Sequence, residues 1–241
     1  MIPNHFILAT KTAKAQTDVL EEDDLEMTYA CLQSWAEGTS PESPRRLFAF
    51  FNSGDHSGAS QAHRHLQFLP FEDMAGQSDK EHWRLLLDSM NQALEGDEKS
   101  GFLSNLSLPF RHFALPIPPQ PTSTSLHHLY LSLYCQAVDY VHRFRGVAPE
   151  PSQGDDPRSP PGAAISYNLA MTVDAMAICP RRSESTSLPL AATNNEIDIN
   201  GTILGGTLMV KDEEQWDTLK QEHGILDEVL GQIGFPVNSN I

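Results

Sequence analysis

A short segment in the first half of the chain carries polar side chains at every second position. His63, His65 and Gln67 are spaced in this way, and Leu66 and Phe68 stand at the alternate positions. Successive side chains of a β-strand point to opposite faces, so a strand would place the two imidazoles and the amide on one face. Leu66 and Phe68 can bury the other face. The pattern therefore favours a polar cleft over core packing.

The chemistry that these side chains suit is attack on phosphorus. An imidazole has an unperturbed pKa of about 6.5, so it is mostly neutral at pH 7. One ring nitrogen can attack while the other donates a hydrogen bond to a carbonyl group, which fixes the tautomer. The product would be a phosphoramidate that a second nucleophile can open. The amide of Gln67 can donate to a phosphate oxygen without changing the number of protons.

A loop of small residues lies directly upstream of the histidines. It contains Gly54 and Gly58 together with three serines, Ser53, Ser57 and Ser60. Small residues let main-chain N–H groups approach an anion closely, and hydroxyl groups add further donors. The loop is not a Walker loop, because no Gly-Lys-Ser/Thr follows it. It predicts a phosphate-binding segment that leads into the histidine strand.

Three other interpretations of the histidines stay open at this point. His63 and His65 could bind zinc together with His56 or His5, although no carboxylate or cysteine nearby completes such a site. The histidines could also stand by coincidence on a surface strand. Finally, the segment could bind a nucleotide without turning it over.

The composition limits the classes of partner. The chain has 241 residues, of which 39% are hydrophobic and 20% charged, and a net charge of -16. This charge argues against nonspecific binding to nucleic acid or to an anionic membrane, and no apolar run approaches the length of a membrane span. Cys31, Cys135 and Cys179 are few and widely spaced, as is usual in a reducing compartment. We expect a soluble intracellular protein.

Hydrophobic periodicity and turn residues predict the elements that position the site. We expect strands at residues 2–10, 47–51, 63–69, 108–117, 164–171, 175–179 and 207–210. We expect helices from about Leu25 to Gly38, from a capping box at Ser78 and Glu81 to Gly96, over 126–144, and from a cap at Asp212 and Gln215 to Val229. Residues 146–162 are rich in Pro, Gly, Ser and Asp and predict a mobile loop. Interleaved strands and helices predict an α+β fold, an antiparallel sheet with flanking helices.

Here the sequence shows a family resemblance. His63 to Gln67, after Asn52-Ser53-Gly54 and Gly58 to Gln61, resembles the His-x-His-x-Gln signature of the histidine-triad superfamily. The final Gln is typical of its transferase branch, which contains galactose-1-phosphate uridylyltransferases and diadenosine tetraphosphate phosphorylases (ATP adenylyltransferases). The chain is more similar to the second group, of the fungal type, and residues 2–6, 16–18, 108–110, 166–172 and 179–181 support the resemblance.

The resemblance implies a role for each matching residue. His65 would be the nucleophile, His63 would orient the site and Gln67 would contact the transferred phosphate. The implied contacts of the nucleotide and its phosphates are Asn52, Ser53, Gly54, Ser57, Gly58, Ser60, Gln61, Asn168 and Arg181.

It also implies a reaction and its partners. Diadenosine tetraphosphate would undergo phosphorolysis to ATP and ADP through an AMP-histidine intermediate. The implied ligands are diadenosine polyphosphate, ATP, ADP and phosphate, with no metal on the histidines, no tightly bound cofactor and Mg2+ only alongside the polyphosphate. The expected alternatives are a noncatalytic or weakened adenine-nucleotide binder and a dinucleoside polyphosphate hydrolase. We expect a cytoplasmic monomer or homodimer, with the nucleus as a second location.

The resemblance further implies two lobes of related, histidine-triad-like fold. A catalytic lobe would comprise residues 1–121, and an ATP adenylyltransferase-type lobe residues 122–241. Two departures from the family stand out. Relatives begin upstream of the element at residues 2–6, and they usually have Trp where Ala175 precedes Met176. We therefore expect a chain that lacks an upstream segment and has weakened turnover.

Overall fold

The computed structural model describes residues 2–37, 45–74, 83–91, 102–147, 163–188, 195–221 and 224–237. Its strands are β1 (Phe6–Ala9), β2 (Leu47–Ser53), β3 (His65–Pro70), β4 (Phe113–Pro116), β5 (Tyr167–Met171), β6 (Ala175–Pro180), β7 (Ser185–Ser187) and β8 (Glu196–Asp198). Its helices are α1 (Glu22–Glu37), α2 (Phe71–Met74), α3 (Leu86–Asn91), α4 (Ser123–Arg145), α5 (Glu213–Gln221) and α6 (Ile225–Ile233), with a 3₁₀ helix at Gly201–Gly205. The predicted α+β class, with flanking helices on an antiparallel sheet, is confirmed.

Six strands form one antiparallel sheet in the order β1-β3-β2-β5-β6-β4. Each half of the chain contributes a strand, a helix and two further strands: β1-α1-β2-β3, and then β4-α4-β5-β6. The two sets meet where β2 pairs with β5, so the strand order reads the same from either edge. The two halves therefore have related folds within one continuous sheet. The predicted boundary between the lobes, at residues 121 and 122, stays a prediction. β4 lies before this boundary in the sequence but pairs with β6, which lies after it.

Each face of the sheet has its own apolar core. On one face, Phe51, Phe68 and Leu169 pack with the buried sides of α1 and α4. The buried residues of α4 recur at helical spacing, which gives the helix one apolar stripe. On the other face, Phe50 and Ala170 pack with α3, the 3₁₀ helix and α6. The site described below lies at one end of this second face.

Some predicted elements differ from the observed ones. Residues 207–210 are not a strand: they follow Gly206, whose φ is 85°, and they pair with no other strand among the described residues. The predicted closing helix is two helices, separated before α6 by Gly224 with a φ of 89°. Its start is as predicted, because Gln215 N donates to Asp212 Oδ1 over 2.9 Å and Lys211 N to Gln215 Oε1 over 2.9 Å. The sequence did not predict α2, β7, β8 or the 3₁₀ helix.

Other predictions extend beyond the described residues. Of the helix expected from Ser78 to Gly96, only Leu86–Asn91 is described as helical, and residues 83–85 are irregular. Ser78, Glu81, Gly96 and Gly38 are outside the described residues, as are residues 148–162 of the expected loop.

Candidate active site

The histidine segment has the alternation that its sequence predicts. Leu66 and Phe68 are buried in the core on the α1 and α4 side. On the opposite face, His65 is 8% exposed, Gln67 is half-buried and His63, just before the strand, is exposed. β3 therefore presents one imidazole and one amide on the same face of the sheet.

The ring of His65 is held in one tautomer. Its Nδ1 lies 2.8 Å from the carbonyl oxygen of His63. A carbonyl oxygen can only accept a hydrogen bond, so Nδ1 carries the proton. In the neutral ring, Nε2 then keeps its lone pair. This is the tautomer that attack by Nε2 requires, and it is the arrangement expected from the sequence.

His63 contributes through two of its groups. Its carbonyl orients the ring of His65, and its own Nε2 lies 2.9 Å from Thr10 Oγ1. The resemblance implied that His63 orients the site. In the structure, the contact with His65 is made by the main chain of His63 and not by its ring.

Asn52 lies on the same face of the sheet, at the end of β2. Its Oδ1 accepts from the N–H of Gly201 over 2.9 Å and from Asn168 Nδ2 over 2.9 Å. Because a main-chain N–H can only donate, this contact also fixes which side-chain atom is oxygen. Asn52 Nδ2 has no acceptor among the described residues, and it is free to donate to a ligand.

Asn168 and Arg181, which we expected to bind the nucleotide, lie behind the candidate site, and their contact with a ligand stays a prediction. They are 0% and 1% exposed. Asn168 Nδ2 donates to Asn52 Oδ1 and to the carbonyl of Ser57, and its Oδ1 accepts from Arg181 Nη1. Arg181 Nη2 donates to the carbonyls of Ser183 and Ile199, each over 2.8 Å. The two side chains hold Asn52 and the loop in place from behind.

Arg181 has no carboxylate partner within the described ranges. Burial lowers the pKa of its guanidinium to about 10, so it still carries its charge at neutral pH. A charge in the interior is stabilised by hydrogen bonds, and here three carbonyl-type oxygens accept from Nη1 and Nη2. Its buried Nε has no acceptor among the described residues. Arg181 adds a positive charge beneath a site that we expect to bind anions.

The loop after β2 has both a structural part and an open part. Gly54 and Gly58 have φ values of 86° and 74°. A Cβ on Gly54 would lie 2.4 Å from Ser166 Oγ, and a Cβ on Gly58 would lie 2.8 Å from the carbonyl oxygen of Ile199. Ser57 is buried, and its hydroxyl donates to the carbonyl of Gly54 over 2.7 Å. These three residues therefore pack the loop against the second half of the chain.

The open part of the loop is residues 58–61. Within the described part of the chain, the N–H groups of these four residues donate to no protein acceptor, and Ser60 and Gln61 are exposed. These N–H groups are therefore available to donate to an anion. Ser53 differs from the expectation: its fully buried side chain points to the opposite face, beside Tyr167. Only its main chain borders the loop.

The zinc alternative has no geometric support. Within the described ranges, which include all four histidines concerned, no group of three His, Cys, Asp or Glu side chains is arranged to hold a metal ion. The coincidence alternative fails because His65 is almost completely buried. Arg64, which stands between the histidines, is structural: it lies 2.7 Å from Asp24 and 3.1 Å from Glu21.

Sequence reasoning missed two residues of the site, Gln16 and Thr10. Gln16 is buried, and its side chain bonds to the main chain of both His65 and Asn52. Thr10 was also missed as the partner of His63. The hydrogen bonds of Gln16 and Thr10 all join residues at least 36 positions apart in the sequence, so no local pattern could reveal them.

A separate cavity of about 220 Å³ lies between the edge strand β1 and α1. Arg64 and Leu66 line it, and both side chains point away from the face that carries His65. It is therefore not part of the candidate site.

An antiparallel sheet with a histidine, an amide and a loop of free N–H groups on one face defines a class, the nucleotidyl transferases of histidine-triad type. The comparisons narrow this class. The family model described as "Ap4A phosphorylase N-terminal domain" matches residues 1–80, and "ATP adenylyltransferase C-terminal domain" matches residues 106–236. The chain belongs to the Ap4A phosphorylase (ATP adenylyltransferase) family, where Ap4A is diadenosine tetraphosphate.

Individual relatives agree with this assignment. The chain is 30% identical to diadenosine 5',5'''-P1,P4-tetraphosphate phosphorylase 2 of Saccharomyces cerevisiae, over 98% of this chain and 67% of the relative. It is 27% identical to Protein APA1 of the same yeast, over 99% of this chain and 67% of that protein. The crystal structure of yeast Ap4A phosphorylase Apa2 in complex with Ap4A has a TM-score of 0.75 at 26% identity, over 98% of this chain and 70% of Apa2.

No described helix has the length and apolar character that a membrane crossing needs.

Proposed function

We propose that this protein catalyses the phosphorolysis of Ap4A to ATP and ADP by adenylyl transfer through His65. The observation that carries the proposal is the hydrogen bond from His65 Nδ1 to the carbonyl of His63, which leaves the Nε2 lone pair for attack. The family assignment supports the choice of substrate, because yeast Apa2 has been crystallised with Ap4A and with AMP.

In the first step, His65 Nε2 attacks the phosphorus that carries one adenosine. The new bond is N–P, and the bond that breaks joins this phosphorus to the bridging oxygen, so ATP leaves with the electron pair. The free amide of Asn52, the amide of Gln67 and the N–H groups of residues 58–61 can donate to the oxygens that gain charge. Donors fixed before the reaction stabilise such charge well, because they need not reorganise.

In the second step, an oxygen of inorganic phosphate attacks the same phosphorus. The N–P bond breaks, its electron pair returns to Nε2 of His65, and ADP is released. The Nδ1 proton stays on the ring throughout, bonded to the carbonyl of His63. We expect Mg2+ to enter with the polyphosphate, whose negative charge attracts it.

The test is product analysis with Ap4A in the presence and absence of phosphate. Phosphorolysis gives ADP and ATP and requires phosphate, so these products support the proposal. AMP and ATP would instead identify a hydrolase, and binding without products would identify a noncatalytic binder; either result contradicts the proposal. His65→Asn should abolish turnover, whereas His128→Asn, on the exposed side of α4, should retain it.

We further propose a cytoplasmic location and a monomeric or homodimeric state. Cys31, Cys135 and Cys179 are free thiols, which is usual in a reducing compartment. A fluorescent fusion in the native cell tests the first statement, and light scattering of the purified chain tests the second.

A further inference from the structure

The histidine segment changes its neighbour where the site begins. β2 and β3 pair directly from Leu47 opposite Pro70 to Phe50 opposite Gln67. Before β3, the segment 62–64 pairs with residues 14–16. Arg64 N donates to the carbonyl of Lys14 over 2.9 Å, and Gln16 N to that of Ala62 over 2.8 Å. β2 and β3 therefore stop pairing beyond Phe50 and Gln67, before they reach Asn52 and His65.

The side chain of Gln16 lies at the point where this pairing stops. Its Nε2 donates to the carbonyl of Asn52 over 2.7 Å and to that of His65 over 3.2 Å. Its Oε1 accepts from the N–H of His65 over 2.8 Å. Every partner is a main-chain group with a fixed role, so the orientation of the amide is determined. Gln16 is only 3% exposed, and its amide replaces the peptide group that a neighbouring strand would supply.

We propose that Gln16 is a positioning residue for the transfer: it fixes the main chain of His65 relative to Asn52. The proposal rests on the proposed function. The ring of His65 is tied to the carbonyl of His63, so the position of Nε2 follows from that of the main chain. The same Gln16 amide holds the end of β2, from which Asn52 presents its free donor. Nucleophile and phosphate donor are thereby kept at one separation, and an error of about 1 Å in such a separation can cost roughly a hundredfold in rate.

The test compares Gln16→Met with Gln215→Met in the full chain. Gln215 is a matched control: it is fully buried, its Oε1 accepts from Lys211 N, and its Nε2 donates to the carbonyl of Glu196, in α5 and away from the site. Both variants should lower the midpoint of urea unfolding. Only Gln16→Met should lower kcat, by about tenfold to a hundredfold, with KM for Ap4A nearly unchanged, because bound substrate would meet a misplaced nucleophile. If Gln16→Met does not fold, Gln16→Glu, which keeps the acceptor for His65 N, replaces it.

A second readout does not depend on turnover. In the free protein, NMR of the histidine ring nitrogens should show His65 as the Nδ1–H tautomer, with His65→Asn used to assign its signals. Gln16→Met should broaden or shift these signals, and Gln215→Met should leave them unchanged. If the wild-type chain has no phosphorolysis activity, the proposed function fails while this comparison still tests Gln16. In either readout, a Gln16 variant that behaves like the Gln215 variant overturns the inference.

Discussion

At the scale of single residues, the reactivity of His65 depends on which ring nitrogen carries the proton. The carbonyl of His63 determines this, since it can accept only from Nδ1–H. Gln67, two residues further along the same face, makes no hydrogen bond through its side chain among the described residues. The amide of Gln67 is therefore available to donate to a phosphate oxygen beside His65, as the proposed reaction requires.

Gln67→Ala should therefore impair turnover far more than it impairs folding. Loss of one donor to a developing oxyanion costs on the order of a hundredfold or more in kcat. The side chain is half-buried and bonded to no other residue in the described ranges, so the midpoint of urea unfolding should hardly move. Steady-state kinetics with Ap4A and phosphate provide the measurement. A large loss of stability with a matching loss of activity would assign Gln67 a structural role instead.

The alternation of side chains along a strand was enough to predict that His65 and Gln67 share one face of the sheet and that Leu66 and Phe68 lie on the other. It could not show that Ser53 faces the other way, because β2 was expected to end at Phe51 and in fact continues to Ser53. Nor could it show that Asn168 and Arg181 are buried. Their burial depends on contacts with Ser57 and Ile199, which are distant in the sequence.

At the scale of elements, hydrophobic periodicity predicted whether most segments are strands or helices. It did not predict the residues at which these elements begin and end. The strand expected at 207–210 has suitable residues but no partner, because Gly206 turns the chain away from the sheet. Likewise, β2 and β3 stop pairing before Asn52 and His65, and the side chain of Gln16 bonds to both of those residues. Such features depend on which segment lies alongside, and a single sequence does not contain that information locally.

The segment that precedes β4 gives a prediction about pH. His112 is buried, with Nδ1–H donating to the carbonyl of Phe110 and Nε2 accepting from Asn105 N. Burial lowers the pKa of His112 to about 4. The unfolded chain, whose histidine has a pKa near 6.5, therefore binds more protons between these two values. Stability from this residue is complete above about pH 6.5 and is lost as the pH falls towards 4.

Between pH 7 and pH 5, this residue should cost the folded state about 2 kcal/mol. His112→Gln, which retains a donor for Phe110 but does not titrate, should lose correspondingly less stability over that interval. The measurement is the free energy of unfolding in urea at both pH values, with the exposed His128→Gln as the control. Equal pH dependence in wild type and His112→Gln would refute the prediction.

At the scale of the whole molecule, the site depends on both halves of the chain. β2 and β5 join the halves, and Asn52 lies opposite Asn168 in that pairing. The contacts from Asn168 to Ser57 and from Asn52 to Gly201 extend the junction to the loop and to the 3₁₀ helix. His65 and the loop come from the first half, and the second half holds the loop in position. The resemblance predicted two related halves, but it did not predict that they share one sheet.

Arg181→Lys should therefore act on stability and not directly on binding. A lysine keeps the charge, but its ammonium group cannot reproduce the fork that reaches Asn168, Ser183 and Ile199. Leaving buried acceptors unpaired should lower the free energy of unfolding by about 2 kcal/mol. Arg182→Lys, an exposed neighbour, should change it by less than about 0.5 kcal/mol. Weakened nucleotide binding at an unchanged free energy of unfolding would instead support the predicted contact of Arg181 with the ligand.

The central claim is that Nε2 of His65 becomes bonded to phosphorus, and one measurement tests it most directly. The full chain is incubated with Ap4A in the absence of phosphate and examined by mass spectrometry. We predict an acid-labile adenylyl adduct on the peptide that contains His65, lost on addition of phosphate with release of ADP and absent from His65→Asn. An adduct on another residue, or phosphorolysis that continues in His65→Asn, would contradict the account.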